Sequence, residues 1–440
     1  MCRLPVFRQF QVDGLPGIAW SWVGSDAPSM LNLIWIGFFL VAFASALFQF
    51  LVGGQPDIFA QMMKAGFDNA RLAFEIALGL TGVMCLWLGV LKIGERVGLL
   101  DLLARVLAPL FARLFPQVPT GHPALGSITM NMAANLLGLD NAATPIGIRA
   151  MTQLQTLNPD PETASDAQVL FLVINASSIT LLPVTIFTYR AQLGAADPTD
   201  VFIPILMATY CSTLAGFAFV ALRQRIRLDA VLLAWIGAVT LAVGGLALYF
   251  AGLPAAEMTA TASLLSNFLL LTIIMAFLVA ALWRKINAYE AFIEGAKDGF
   301  RTAVAIIPYL VAMLVAIGLL RASGALAVAM SAVQGVVGAA GFDARWVEGL
   351  PTMLMKPLSG SGARAMMIET MQTQGADSFA GRLACIIQGS TETTFYVLAV
   401  YFGAVGIKRV RYAVAGGLIA DLAGFTAAVL AGYLFFSGAD

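Results

Sequence analysis

The chain has 440 residues, of which 60% are hydrophobic and 11% charged, with a mean hydropathy of +0.85, whereas soluble domains carry about 25% charged and 45–50% apolar residues. Its 25 basic and 25 acidic residues cancel, which excludes a basic surplus for nucleic acid and a long acidic tail. Cys2, Cys85, Cys211 and Cys385 form no Cys-x-x-Cys pair and His122 is the sole histidine, so no zinc or haem site is recognisable and neither metal nor cofactor is expected.

Composition therefore predicts an integral membrane protein; with the helical runs below, the expectation is an all-α polytopic fold, its expected partners a small molecule or ion and membrane lipids. Residues 1–29 are polar, contain Pro5, Pro16 and Pro28, and lack the continuous apolar core of a signal peptide. Either they form a short extramembrane arm or translation begins at Met30, which is the preferred reading. A spanning helix needs about 20 mostly apolar residues. Runs of that kind cover 31–52, 72–94, 168–189, 200–222, 230–252, 263–283, 302–320, 380–403 and 411–436. Segments 98–115, 120–150, 324–340 and 346–372 are apolar but broken by Gly, Pro and Ser, and read as short, discontinuous or re-entrant helices. Such backbone survives at membrane depth only where protein or a watery cavity satisfies it.

An internal repeat is visible. The stretch from Lys64 parallels the stretch from Lys297: each has a polar, amphipathic start (Lys64, Asp68, Arg71; Lys297, Asp298, Arg301) suited to the interface, then a long apolar helix, a charged break and a smaller-residue segment. FLVINASSITLLPV (171–184) likewise parallels CIIQGSTETTFYV (385–397). Interrupted hydrophobic segments at matching places in two halves point to a midplane transport site. The basic clusters Arg223, Arg225, Arg227 and Arg284, Lys285 flank two intervening spans and fall on one side, read as cytoplasmic. Whether the repeats are parallel or inverted is open.

Four polar clusters carry the candidate chemistry. In residues 121–147, Asn131 and Asn135 share a helical face with Gly138; Asp140 and Asn141 follow, and Pro145 is expected to end the helix. This is either a hairpin tip offering amides and a carboxylate to a ligand, or interhelical glue. His122 either gates protons or is structural. In the second cluster Asn175, Ser177 and Ser178 precede Pro183, which frees a backbone carbonyl. The third, Ser359-Gly360-Ser361-Gly362 between Lys356 and Arg364, is a small-residue turn whose amides can cradle an anion, or a structural tip. The fourth holds Gln388, Ser390, Thr391, Glu392 and Thr394, with Gln388, Thr391, Glu392 and Phe395 placed on one helical face. A carboxylate inside an apolar run marks function by default; the alternatives are a protonated Glu392 or an ion pair with Arg364 or Lys356.

At these motifs the chain resembles the bacterial spore maturation proteins A and B joined in tandem. MLNLIWIGFFL at Met30, NMAANLLGLDNAATPIGIRAM (131–151) and NASSITLLP (175–183) carry the A-type likeness. KPLSGSGARAM (356–366) and QGSTETTFYVLAVYFGAVGIKR (388–409) carry the B-type likeness. The resemblance divides the chain into an A-like half, 30–227, and a B-like half, 228–440, and supports Met30 as the start. Both halves resemble the nucleoside recognition, or Gate, domain family, related to segments of concentrative nucleoside transporters and of the ferrous iron transporter B membrane domain. It implies two tandem related halves with interfacial helices, re-entrant hairpins and interrupted transmembrane helices around a midplane site, without fixing the substrate. The expectation is a proton- or sodium-coupled transporter of a small polar or anionic solute in the bacterial inner membrane, with Glu392 coupling and homo-oligomerisation open. The alternatives are a non-transporting envelope maturation factor, or an intramembrane enzyme on a lipid-linked precursor. No Ser/His/Asp arrangement or His-Glu-x-x-His supports the enzyme, so none is expected.

Overall fold

A bilayer leaves no water for unpaired backbone groups, and this apolar chain meets that demand with helices. The computed structural model describes residues 30–138, 140–177 and 179–438; the proposed arm 1–29 lies outside them. In the first half α1 (Met30–Leu51), α2 (Ile58–Arg96) and α3 (Leu99–Leu114) precede α4 (Pro123–Leu136), α5 (Asp140–Gln155), α6 (Asp166–Ala176), α7 (Val184–Gln192) and α8 (Phe202–Gln224). The second half has α9 (Ala230–Ala251), α10 (Ala255–Trp283), α11 (Ala288–Ala322), α12 (Ala325–Ala339), α13 (Leu350–Met355), α14 (Gly360–Gln374), α15 (Phe379–Ser390), α16 (Thr394–Ala404) and α17 (Ala413–Phe436). Among the described residues there is no strand, and eight helical segments, counting the interrupted pair α15–α16 as one, are long and apolar enough to cross a membrane.

The halves are inverted copies. Helices α2 and α11 hold matching places in the repeat, yet pack antiparallel: Asn69 lies against Gly318, Cys85 Sγ donates to the Ala296 carbonyl (3.1 Å), and Lys92 pairs with Glu294 (3.4 Å). Helices α8 and α17 do the same, with Ser212 beside Gly424, Gly216 beside Ala420 and Arg223 over the Tyr412 ring. Antiparallel packing of equivalent helices places the pseudo-twofold axis in the membrane plane. Glycines permit it: a β-carbon at Gly295 would lie 2.2 Å from the Leu88 carbonyl oxygen.

Several sequence expectations need correction. The runs 168–189 and 380–403 are not continuous spans: α6 stops at Ala176 and α7 starts at Val184, while α15 stops at Ser390 and α16 starts at Thr394. Thr391 is extended, so Gln388, Thr391, Glu392 and Phe395 share no helical face. Helix α4 ends at Leu136, so Gly138 leaves the asparagine stripe and turns the chain at φ 68°. Pro145 sits inside α5 as its sixth residue and does not end it: the helix runs on to Gln155. The polar starts at Lys64 and Lys297 are not separate interfacial helices. They belong to helices of 39 and 35 residues, ~58 and ~52 Å long at 1.5 Å per residue, and so extend past a ~30 Å hydrocarbon layer.

Two re-entrant hairpins complete the midplane. The α4–α5 tip meets the first interruption, where Leu181 N–H donates to the Leu136 carbonyl (2.8 Å). The tip before α14 meets the second, where Phe395 N–H donates to the Pro357 carbonyl (3.0 Å). The interruptions join each other through Glu392 N–H and the Ala176 carbonyl (2.8 Å). The core knits both halves, through Leu80, Ile205, Leu314, Ile387 and Phe435, whereas α9 turns Leu233, Leu241 and Leu248 outward to the lipid.

Each interruption is anchored outside by ions. On one face Arg190, Asp200, Asp377 and Arg382 interlock, with Arg190 and Asp200 buried (Arg190–Asp200 2.8 Å, Arg382–Asp200 2.7 Å, Arg190–Asp377 3.0 Å). On the other face the exposed pairs Lys408–Glu162 (2.6 Å) and Arg409–Asp160 (3.0 Å) tie the end of α16 to the loop before α6. Arg113, Arg223, Arg225, Arg227, Arg284 and Lys285 share this second, basic face: Arg113 pairs with Asp229 and Arg284 reaches Gly98.

Candidate functional site

Helix α4 presents Asn131 and Asn135 one turn apart, and α6 brings Asn175 to meet them. Asn135 Nδ2 donates to Asn175 Oδ1 (2.8 Å), Asn131 Nδ2 to the Ala143 carbonyl (2.7 Å), and Asn175 Nδ2 to the Phe171 carbonyl (2.8 Å). Tyr401 closes the group from α16, its hydroxyl donating to Asn175 Oδ1 at 3.4 Å. Asn131 and Asn175 are buried while Asn135 is half-buried. Two of the three amides are therefore satisfied within the scaffold, and they aim the third.

Asn135 and Asn175 line a cavity of about 570 Å³. Its walls also carry Ser359, Gly360 and Ser361 at the start of α14, Arg364 one turn on, and Glu392 with Thr393 from the second interruption. Tyr189, Tyr309, Tyr396 and Tyr401 supply rings. A second space of about 300 Å³ is lined by Lys92, Glu95 and Asp298 towards the basic face, and a third of about 80 Å³ by Lys356, Gln388 and Thr391. All three share Arg364 and Tyr189, whose cation–ring distance is 5.9 Å. That pair stands where the three spaces meet.

Ser359 caps α14, its Oγ accepting from Gly362 N–H (3.0 Å), and Ser361 Oγ lies 3.2 Å from it. The start of a helix offers free N–H groups to an anion, and here it opens on the cavity with a guanidinium beside it. Arg364 Nε is buried with no hydrogen-bond partner among the described residues. Glu392 is half-buried and makes no ion pair there; in particular it does not neutralise Arg364. The cavity thus offers one anionic and one cationic group, neither of them in an ion pair among the described residues, with Tyr189 against Arg364.

Other expected residues stand elsewhere. Ser177 and Ser390 cap their own broken helices (to the Val173 and Ile387 carbonyls, 2.9 and 2.8 Å), and Gly362 is buried against Met355 and Met313. Thr394 donates to Asp421 Oδ2 (2.7 Å). The side chains of Asp140 and Asn141, and Ser178 entirely, lie outside the described residues. His122 caps α4, its Nδ1 accepting from Ala124 N–H (3.2 Å), which is the structural alternative. Sequence reasoning passed over the four tyrosines, which no local polar pattern marks. It also passed over Asp421, a carboxylate inside the apolar stretch AGGLIADLAGF that could have been found by the same test as Glu392.

The family model described as nucleoside recognition, Gate, matches residues 77–193 and 303–408. The chain belongs to the Gate family. Its two Gate segments contain the two hairpins and the two interrupted helices. The chain is also similar to spore maturation protein A of Bacillus subtilis (strain 168), 39% identical over 183 residues, covering 42% of this chain and 90% of that protein. Spore maturation protein B of the same organism is 46% identical over 167 residues, covering 38% of this chain and 92% of that protein. Two near-complete relatives within one Gate chain are consistent with a fusion. No solved structure matches it.

Proposed function

We propose that the protein is a secondary transporter of a small polar solute with an anionic group or a ring amide, driven by a proton or sodium gradient, with the cavity of about 570 Å³ as its solute site. The observation that carries this reading is convergence: two interruptions and two hairpin tips, from inverted halves, meet at one polar cavity. That arrangement is the hallmark of alternating-access carriers, and the volume lies within the ~300–1,000 Å³ of ligand pockets. The start of α14 and Arg364 would take an anionic group, Asn135 a polar edge, and the tyrosines a ring face. The family's description makes nucleosides the first solutes to try. Glu392, facing the same space, is the proposed coupling carboxylate, and no catalytic step is part of the reading.

We place the protein in the bacterial inner membrane with the basic face cytoplasmic, following the rule that loops rich in Lys and Arg stay inside. The test is uptake of radiolabelled uridine, adenosine and a small dicarboxylate into proteoliposomes under imposed proton and sodium gradients. Flux above that of protein-free vesicles is expected, with Glu392→Gln losing gradient dependence. An unchanged rate and unchanged ion dependence in that variant would remove Glu392 from coupling. A second reading follows from the relatives' names: a non-transporting maturation factor of the envelope, favoured if folded protein moves none of these solutes.

A further inference from the structure

Beside the solute cavity lies a second polar centre that the transport reading does not use. Asp421 stands in the middle of α17, 2% exposed. Its Oδ2 accepts from Thr394, but Oδ1 has no hydrogen-bond partner and Asp421 makes no ion pair among the described residues. Two further buried oxygens nearby lack a close hydrogen-bond partner among the described residues: Thr391 Oγ1, 3% exposed and directed at Asp421, and Ser212 Oγ, 0% exposed. The charged groups whose fields reach Asp421 are Lys356 and Glu392.

These oxygens come from three elements that glycines allow to touch. A β-carbon at Gly417 would lie 2.5 Å from Thr394 Cγ2. One at Gly424 would lie 2.7 Å from Thr391 Cγ2, 3.1 Å from Ser212 Cβ and 3.3 Å from the Ser390 carbonyl oxygen. The missing side chains let the second interruption press onto α17 on either side of Asp421, the start of α16 at Gly417 and the end of α15 at Gly424, with α8 closing the third side. Ser390 is the last residue of α15, so its carbonyl belongs to a helix end, where carbonyls lack intrahelical partners and carry partial negative charge.

A lone carboxylate, two hydroxyls and a helix-end carbonyl form an all-oxygen set of net charge −1 at membrane depth. Uncompensated, such a charge is expensive; hydroxyls and carbonyls suit a hard cation, and unwound carbonyls at half-helix ends hold sodium or protons in carriers. We propose that Asp421, Thr391, Ser212 and the Ser390 carbonyl form a buried site for one monovalent cation, sodium or a proton. As a cation site it stands independently of transport; as the coupling site it rests on the transport reading. Its position then gives it a route to that role. Thr391 is adjacent to Glu392, whose N–H holds the other interruption, so occupancy here sets the geometry of the crossing.

The experiment uses the full-length protein in detergent with no gradient, so that failure of the site and failure of transport are separable. Equilibrium binding of ²²Na⁺ and thermal unfolding in sodium against choline chloride are measured at alkaline pH. The infrared band of a protonated carboxylic acid is followed as pH falls. Sodium occupancy is expected to give one ion per chain and a raised Tm, both lost in Asp421→Asn. Proton occupancy is expected to give no sodium binding but an acid band that Asp421→Asn abolishes. Ser212→Ala and Thr391→Val, which keep the packing, are expected to weaken sodium at least tenfold or shift the band, so the test stands even if Asp421→Asn fails to fold. Neither sodium binding nor a titrating band, or either signal unchanged in Ser212→Ala and Thr391→Val, overturns the site.

Discussion

The N–H of Glu392 donates to the carbonyl of Ala176 over 2.8 Å, so the interruption of one half is held by the interruption of the other. Each interruption also donates one hydrogen bond to the hairpin tip of its own half, Leu181 N–H to the Leu136 carbonyl and Phe395 N–H to the Pro357 carbonyl. Broken backbone at this depth needs such partners, since water is absent from the surrounding lipid.

Gly138 tests the first tip. It turns the chain at φ 68°, and a β-carbon there would sit 2.6 Å from the Leu182 carbonyl oxygen. Gly138→Ala therefore combines a left-handed alanine, at about 1–3 kcal/mol, with a backbone clash. The expected outcome is a lower Tm in detergent and reduced uptake. Gly121, also left-handed (φ 86°) but in open space, supplies the control: Gly121→Ala carries only the conformational part.

The ionic anchors differ in burial, so they should differ in weight. Arg190→Ala leaves Asp200 buried without one of its two cations, and breaking a buried pair in this way costs about 3–5 kcal/mol. Lys408→Ala opens a pair whose members are both exposed, and such pairs contribute little and are screened by salt. Thermal unfolding of the two variants at low and high ionic strength checks the contrast: a large, salt-insensitive loss for Arg190→Ala and a small, salt-sensitive one for Lys408→Ala.

The exposed anchor also carries a pH signature. Hydrogen bonds from Thr163 and the Glu162 backbone, then from Arg409, hold the Asp160 carboxyl below its usual 3.8, and Lys408 holds Glu162 below its usual 4.5. Folding depresses these values, so their stabilisation is present above the unfolded values and lost as pH falls through the folded ones. Unfolding scans from about pH 6 to 3 should show wild type losing stability faster than Lys408→Ala/Arg409→Ala, the two curves converging at the acid end. Parallel curves would contradict it.

How much of this was legible beforehand depends on the scale of the signal. Composition and apolar runs suffice for the helical membrane class, because twenty apolar residues have few other uses. Asn131, Asn135, Arg364 and Glu392 were visible as polar groups out of place, and they do reach one cavity or its supporting amides. The polar breaks at 171–184 and 385–397 are legible, but not where the helix stops: NASSIT and GSTETT lie in runs of spanning length, so Gln388, Thr391, Glu392 and Phe395 read as one helical face and nothing local says where the ladder ends. That depends on partners such as Leu136 and Pro357, distant in sequence. The inversion was unreadable for the same reason: it follows from Asn69 meeting Gly318 and Ser212 meeting Gly424, which are long-range facts. The Tyr189 and Tyr401 rings look like ordinary apolar filling until the cavity exists.

Inversion has a direct chemical check. Arg227, after α8, and Gln374, the last residue of α14, lie on opposite faces and are exposed. With the native cysteines replaced, Arg227→Cys and Gln374→Cys should be labelled by a membrane-impermeant maleimide from opposite sides of intact vesicles. The orientation rule places Arg227 inside, so in intact cells only Gln374→Cys should react. Labelling of both from one side would contradict the inverted arrangement.

Arg364 separates solute recognition from scaffolding. It stands one turn into α14, beside the free N–H groups at the helix start, and its Nε has no hydrogen-bond partner among the described residues. Removing it breaks no hydrogen bond at Nε; what is lost is its contact with Tyr189, ring and hydroxyl together. Arg364→Gln should leave Tm nearly unchanged. If the guanidinium receives an anionic group, a charge-assisted hydrogen bond of about 1.5–3 kcal/mol disappears, which raises KM for an anionic solute by about 10- to 150-fold. A neutral solute of similar shape should keep its KM, because Asn135 and the tyrosines remain. Arg364→Lys restores the charge without the planar fork and should recover part of the loss. Uptake kinetics for one anionic and one neutral solute across the three proteins read this directly, and an equal KM change for both solutes would reduce Arg364 to a wall of the cavity.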